Sequence, residues 1–183
     1  MSKKKIGILV GSLRKDSFSK IIAKEMAKLF PENYEMVFLE IGQLPLYNQD
    51  YDDLNQVPQS YAPFREAVKA CDGYMFVTPE YNRSLPAALK NALDVASRPY
   101  GKNNWAGKTG LVVSISPGAL SGFGANHHLR QSLVFLDVLT LQQPEAYLGN
   151  VTSFIENGQV TNQGTLDFMK TIVDRCVALT EKN

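Results

Sequence analysis

The chain has 183 residues, enough for one domain with a sizeable core and too few for two. Hydrophobic residues make up 44% and charged residues 20%, the balance of an ordinary globular protein. Lys and Arg number 19 against 18 Asp and Glu, a net charge of +1 that excludes bulk electrostatic attraction to nucleic acid or to an anionic membrane.

The amino-terminal "MSKKK" is basic, but the apolar run behind it, Ile6–Val10, ends at Gly11 and is too short for a signal-peptide core. No apolar stretch reaches the roughly 18 residues of a membrane span. These features lead to the expectation of a cytoplasmic protein. Cys71 and Cys176 stand far apart in no metal-like spacing. They read as buried thiols in a reducing compartment, with a single disulfide as the alternative.

Lys5–Val10 is a nearly continuous apolar run bounded by glycine, as expected of a strand covered on both faces. From Phe18 to Phe30 the apolar positions Phe18, Ile21, Ile22, Met26 and Leu29 follow helical spacing, with Ser17 as a candidate cap and Pro31 as the stop. A second strand is expected over 34–41. Residues 42–58, with two prolines and scattered aromatics, read as a long surface loop of the kind that tends to carry function. A helix follows over 60–73, a third buried strand over 74–78, and a helix over 85–98 with Pro86 in its first turn. A fourth strand spans 109–116 and a helix 125–139. A short fifth strand lies within 140–149, and a closing amphipathic helix covers 165–182. Alternating strands and helices predict a single α/β domain over 1–183, a parallel sheet with helices on both faces.

In such sheets ligands sit beyond the carboxyl ends of the strands. The loop after strand one, "GSLRKDSFS", offers hydroxyls at Ser12, Ser17 and Ser19 and the planar fork of Arg14, at the amino terminus of a helix. That donor set suits a doubly charged phosphate monoester; the plainer alternative is a helix cap beside a solvated arginine. A dinucleotide fingerprint needs G-x-G-x-x-G here, and a P-loop needs a Gly-Lys-Ser/Thr triplet; neither is present. The loop after strand three, "TPEYNRSLP", is stiffened by Pro79 and Pro86 and offers Tyr81 and Asn82 to a flat heteroaromatic ring, or else is an exposed connection capped by Ser84. The loop after strand four gathers Ser116, Gly118, Ser121, Gly122 and Gly124, small enough for a planar group to approach the backbone, or else a plain flexible loop. His127 and His128 are adjacent and so face about 100° apart on a helix. They read as interface or supporting residues and not as a metal pair. Cys71 sits at a helix carboxyl end, which disfavours a thiolate. No G-x-S-x-G elbow is present.

The ordered set "GSLRKDSFS", "PEYNRSLPAALKNALD" and "AGK…HLRQSLVFLD…QPE" resembles the NAD(P)H-dependent FMN reductases, in particular their bacterial quinone and chromate reductase members, over about residues 5 to 180. The resemblance implies a flavodoxin-like fold with strand order 2-1-3-4-5 and bound FMN, with NADPH or NADH as co-substrate. It places the phosphate loop on Ser12, Leu13, Arg14, Lys15, Ser17, Phe18 and Ser19. The isoalloxazine loop falls on Pro79, Glu80, Tyr81, Asn82 and Arg83, and a further flavin contact on Ser116 with Gly118 beside it. No metal and no protein acid or base is implied. A hydride passes from the nicotinamide to flavin N5 by ping-pong kinetics. The electrons then go to a small acceptor: a quinone, chromate, an azo or nitro compound, or free flavin.

The chain departs from the family at Ser19, where asparagine is usual, and at Arg83, where an aromatic residue often stands. Gly124 and His127 occupy the places of an arginine and a tyrosine that help build a tetramer, so a homodimer is expected, with a homotetramer as the alternative. The resemblance also implies that parts of a partner subunit's 42–58 loop line the pocket shared with Tyr81, Asn82 and Arg83. Two rival functions are a flavodoxin-type electron carrier, disfavoured by the near-neutral charge, and a flavin-free interaction protein on the same fold.

Overall fold

A computed structural model describes residues 3–183; Met1 and Ser2 of the basic start lie outside the described residues. The chain runs β1 (Lys4–Val10), α1 (Phe18–Ala27), β2 (Tyr34–Phe38), α2 (Asp50–Asp53), α3 (Tyr61–Lys69), β3 (Gly73–Pro79), α4 (Ala87–Ala96), β4 (Thr109–Ile115), α5 (Phe123–Phe135), β5 (Leu139–Thr140), β6 (Ala146–Leu148), β7 (Ile155–Glu156), β8 (Gln159–Val160) and α6 (Gln163–Lys182).

The main sheet is parallel with the expected order β2-β1-β3-β4-β5. The fifth position is split. β5 pairs with Thr109 and Gly110 of β4, and β6 pairs with Val113 to Ile115 further along. The interruption holds Pro144, which has no N–H for the ladder.

The strands are apolar throughout because both faces are covered, and the period of two divides their side chains. Ile6, Ile8, Met75, Val77, Leu111 and Val113 face α1 and α6, where Ile22, Met26, Met169 and Ile172 meet them. Leu9, Tyr74, Phe76 and Val112 face α3, α4 and α5, meeting Val68, Leu89, Leu93, Leu129 and the buried Trp105. Trp105 satisfies its indole by donating from Nε1 to the Leu93 carbonyl at 3.0 Å.

Helix α1 stops at Ala27, before Phe30, although Leu29 and Phe30 still pack on the core. Residues 42–58 are a strap and not a free loop. The buried Asn91 amide donates to the carbonyls of Leu44 and Pro45 and accepts from the Tyr47 N–H at 2.8 Å. Arg65 grips Asp52 through two bonds of 2.9 Å and donates its Nε to the Val95 carbonyl. A small antiparallel hairpin, β7-β8, turns through Asn157 and Gly158, both at positive φ.

Candidate functional site

β1, β3 and β4 are neighbours running the same way, so the loops after them share one edge of the sheet. The first leaves β1 at Gly11, whose N–H donates to the Val77 carbonyl of β3 at 2.9 Å. A Cβ on Gly11 would meet Thr78 Oγ1 at 3.1 Å and Pro79 Cδ at 3.3 Å, so the absence of a side chain lets β1 hug the start of the third-strand loop.

Ser17 is the cap of α1 in an extended conformation, its Oγ accepting from the Lys20 N–H at 3.3 Å. Ser12 Oγ lies 3.4 Å from the Arg14 amide that points at it. Ser12, Ser17 and Ser19 are buried, whereas Leu13, Arg14 and Lys15 are exposed. Phe18 spends its ring on the core, so only its backbone faces the junction. Buried hydroxyls, free helical N–H groups and two solvent-reaching cations are a donor set that fits a phosphate dianion. A cleft of about 110 Å³ opens beside the junction toward the end of β2, lined by Ser12, Leu13, Arg14, Lys20 and Glu40.

The second loop is more sharply built than the sequence suggests. Tyr81 and Ser84 exchange backbone bonds of 2.9 and 3.0 Å, enclosing Asn82 and Arg83, whose φ values are +50° and +67°. Two successive positive φ values mark a turn of the primed hairpin type, here without glycine. The ladder uses the amides of Tyr81 and Ser84, which leaves those of Asn82 and Arg83 outside it. Tyr81, Asn82 and Arg83 are exposed at this edge. Ser84 is not the cap of α4, whose N-cap is Pro86; its hydroxyl pairs with His128 Nδ1 at 2.9 Å. Glu80 turns away from solvent, with one carboxylate oxygen accepting from the Ala125 N–H at 3.1 Å and the other 3.5 Å from Arg83.

The third loop is not a flexible connection. Ser116 exchanges backbone bonds with Leu148 and Val151, and the Gly118 carbonyl accepts from Ser121 and Asn150. Ser116 Oγ accepts from the Gly118 N–H at 3.0 Å. Beneath it the Ser114 hydroxyl, Asn126 and Arg130 form a chain that ends on the Leu141 carbonyl. Gly124 belongs to α5 and not to the loop, and its lack of a side chain admits a close contact with the Arg83 carbonyl. That contact, the Glu80 carboxylate and Asn91 were not legible as supporting features from residue type alone.

His127, Phe123 and Tyr147 form one aromatic cluster, with His127 at a centroid distance of 4.1 Å from Phe123 and nearly parallel to Tyr147 at 6.4 Å. Burial, and then a hydrogen bond to Glu145, push the Tyr147 phenol up to about 12. Burial raises the Cys71 thiol, which donates to the Ala67 carbonyl, and pushes Cys176 up to about 12. Both thiols are free, so the disulfide alternative falls away. Among the described residues no cluster of His, Cys, Asp and Glu could hold a metal ion.

The family model of the NADPH-dependent FMN reductases matches residues 4–153. The chain belongs to this family. A quinone reductase of Pseudomonas putida is 47% identical over 178 residues, covering 97% of this chain and 95% of the relative. A 2-hydroxy-1,4-benzoquinone reductase of a Burkholderia species is 43% identical over 175 residues, covering 95% and 94%. Among solved structures, FerB, a flavoenzyme NAD(P)H:(acceptor) oxidoreductase from Paracoccus denitrificans, superposes with a TM-score of 0.90 at 36% identity, covering 98% of both chains. A WrbA-like flavodoxin from Agrobacterium tumefaciens, at 15% identity and a TM-score of 0.65, shares the fold. The protein is accordingly an oxidoreductase with a flavodoxin-like fold whose cofactor is FMN and whose co-substrate is NAD(P)H.

Proposed function

We propose that the protein reduces quinones with NAD(P)H, with chromate, azo and nitro compounds and free flavin as further acceptors of the same exposed site. The observation that carries this reading is the juxtaposition of two loops at the ends of neighbouring strands. One holds buried hydroxyls beside Arg14, and the other is a rigid turn with Tyr81, Asn82 and Arg83 exposed. When bound, FMN supplies the redox chemistry, hydride uptake from the nicotinamide and two-electron delivery to the acceptor.

The chain's own part is binding and orientation. Ser12, Ser17, Ser19 and the first amides of α1 would hold the phosphate, and Arg14 would neutralise it. Ser116 and Gly118 at the end of β4 and the Tyr81–Arg83 turn at the end of β3 would border the ring. Tyr81 supplies an aromatic surface to the planar groups that visit in turn, and Arg83 a cation for their anionic parts.

No helix among the described residues is long and apolar enough to cross a membrane, which is consistent with the proposed cytoplasmic location. α5 leaves Phe123, Val134 and Phe135 exposed, Phe135 at 87%, and this face supports a homodimer as the working assembly, with the tetramer as its extension. The test is steady-state oxidation of NADH and NADPH by the purified flavoprotein against a panel of acceptors, comparing kcat/KM. Parallel lines in double-reciprocal plots with a benzoquinone support the proposal. A protein that carries FMN but turns over neither nicotinamide is an electron carrier, and the proposal fails.

A further inference from the structure

Helix α5 begins without a cap of its own. Its N-cap is Gly122, in the left-handed region and without a side chain to accept a hydrogen bond. The missing acceptor comes from 45 residues upstream: Glu80 Oε2 takes the Ala125 N–H. A carboxylate at a helix amino terminus is favoured by the free N–H groups and by the dipole together. Three residues further on, His128 reaches back to the hydroxyl of Ser84, the residue whose backbone closes the same turn. Between these two bonds the backbones nearly touch. A Cβ on Gly124 would stand 2.7 Å from the Arg83 carbonyl oxygen and 3.1 Å from Glu80 Oε2.

The turn so held is closed by its own two backbone bonds and strained at its tip. Asn82 and Arg83 are both at positive φ, and Arg83 gains no relief from a short polar side chain of the Asn type. Such conformations persist when the surroundings over-determine them, and they concentrate where a ligand must be met in one geometry. Glu80, Gly124 and His128 are the surroundings that do so here. The proline stiffening read from the sequence acts only at the ends of the loop, at Pro79 and Pro86.

We propose that Glu80, Gly124 and His128 form a latch that sets the pose of the Tyr81–Arg83 turn against the flavin ring, which makes them positioning residues for the cofactor. The proposal rests on the reading that this turn borders the ring. The latch acts through the turn, so it governs how tightly and in what electronic environment FMN is held, and it contributes no group to the electron transfer.

The test uses FMN titration of the apoprotein, visible circular dichroism of the bound flavin, and its midpoint potential. Gly124→Ala weakens FMN binding about tenfold or more and changes the flavin dichroism, because an added Cβ cannot stand 2.7 Å from the Arg83 carbonyl oxygen without moving the turn. His128 is exposed, so His128→Ala tests the same latch with little risk to folding; loss of its bond to Ser84 weakens binding about threefold. His128→Asn, which keeps a polar group toward Ser84, restores most of it. Glu80→Gln retains an acceptor for Ala125 and falls between wild type and Glu80→Ala. Asn82→Val, a β-branched residue forced to positive φ, perturbs the turn directly. If Asn82→Val shifts flavin affinity and potential while Gly124→Ala and His128→Ala leave both at wild-type values, the latch is overturned and the placement of the ring stands. If all three leave them unchanged, the placement of the ring falls and the latch with it.

Discussion

The two junctions that meet at the site are built in opposite ways. The β1–α1 loop is organised by its own neighbourhood: Ser17 caps the helix it precedes, and the Ser12 hydroxyl faces an amide two residues on. The β3–α4 turn is organised from a distance, by Ala125, His128 and Gly124 of α5. On the proposed reading the difference matches what each would hold. A phosphate asks for donors and positive potential, which a helix amino terminus provides wherever it stands. A flat ring asks for a surface in one position, which a strained turn keeps best when a second element presses on it.

The strap over α3 and α4 is also tied from a distance, by Arg65 and Asn91. Arg65→Ala leaves Asp52 with its carboxylate largely buried and unpaired, and is expected to destabilise the protein by about 3 kcal/mol in urea or guanidinium unfolding. A much smaller loss would mean that the Asn91 bonds alone hold the strap. Ser17→Ala removes a local device and should cost about 1 kcal/mol by the same measurement. If it costs nothing in the apoprotein yet weakens FMN binding, the hydroxyl serves the ligand and not the helix.

Arg83 stands at the tip of the turn with its side chain 74% exposed, so its contribution is screened. Arg83→Ala should raise the KM for NADPH about threefold and that for NADH less, because the extra phosphate is the group a cation there would attract. An unchanged KM for NADPH would refute that role.

The smallest effect lies far from both junctions, at Cys176. Burial pushes its thiol up to about 12, whereas an unfolded chain releases that proton near 8.5. Its contribution to stability is complete below pH ~8.5 and is lost as pH rises toward the folded value. The expected loss at pH 9 is under about 1 kcal/mol, read as a flatter alkaline stability profile in Cys176→Ala than in wild type.

The same contrast explains what could be read from the residues alone. The buried parallel strands, the cap at Ser17 and the hydroxyl-rich loop are statements about neighbours in sequence, and they appear in the structure where the pattern places them. Glycine at 124 looks like loop punctuation, but it lies inside α5, and its reason is a carbonyl 41 positions away. Asn91 looks like an ordinary helix residue until the strap folds over it. The Asn157–Gly158 pair is a hairpin signature, yet its flanking strands of two residues each are too short to show alternation. The split of the last sheet position depends on where β4 offers partners, which the residues of β5 and β6 do not encode by themselves.

The decisive measurement is calorimetric titration of the apoprotein with FMN and with riboflavin, which differ only in the phosphate, repeated on Arg14→Ala. Wild type is expected to prefer FMN by at least tenfold, about 1.4 kcal/mol, and Arg14→Ala to lose much of that preference. Equal affinity of the wild-type protein for the two flavins would contradict a phosphate site at the β1–α1 junction.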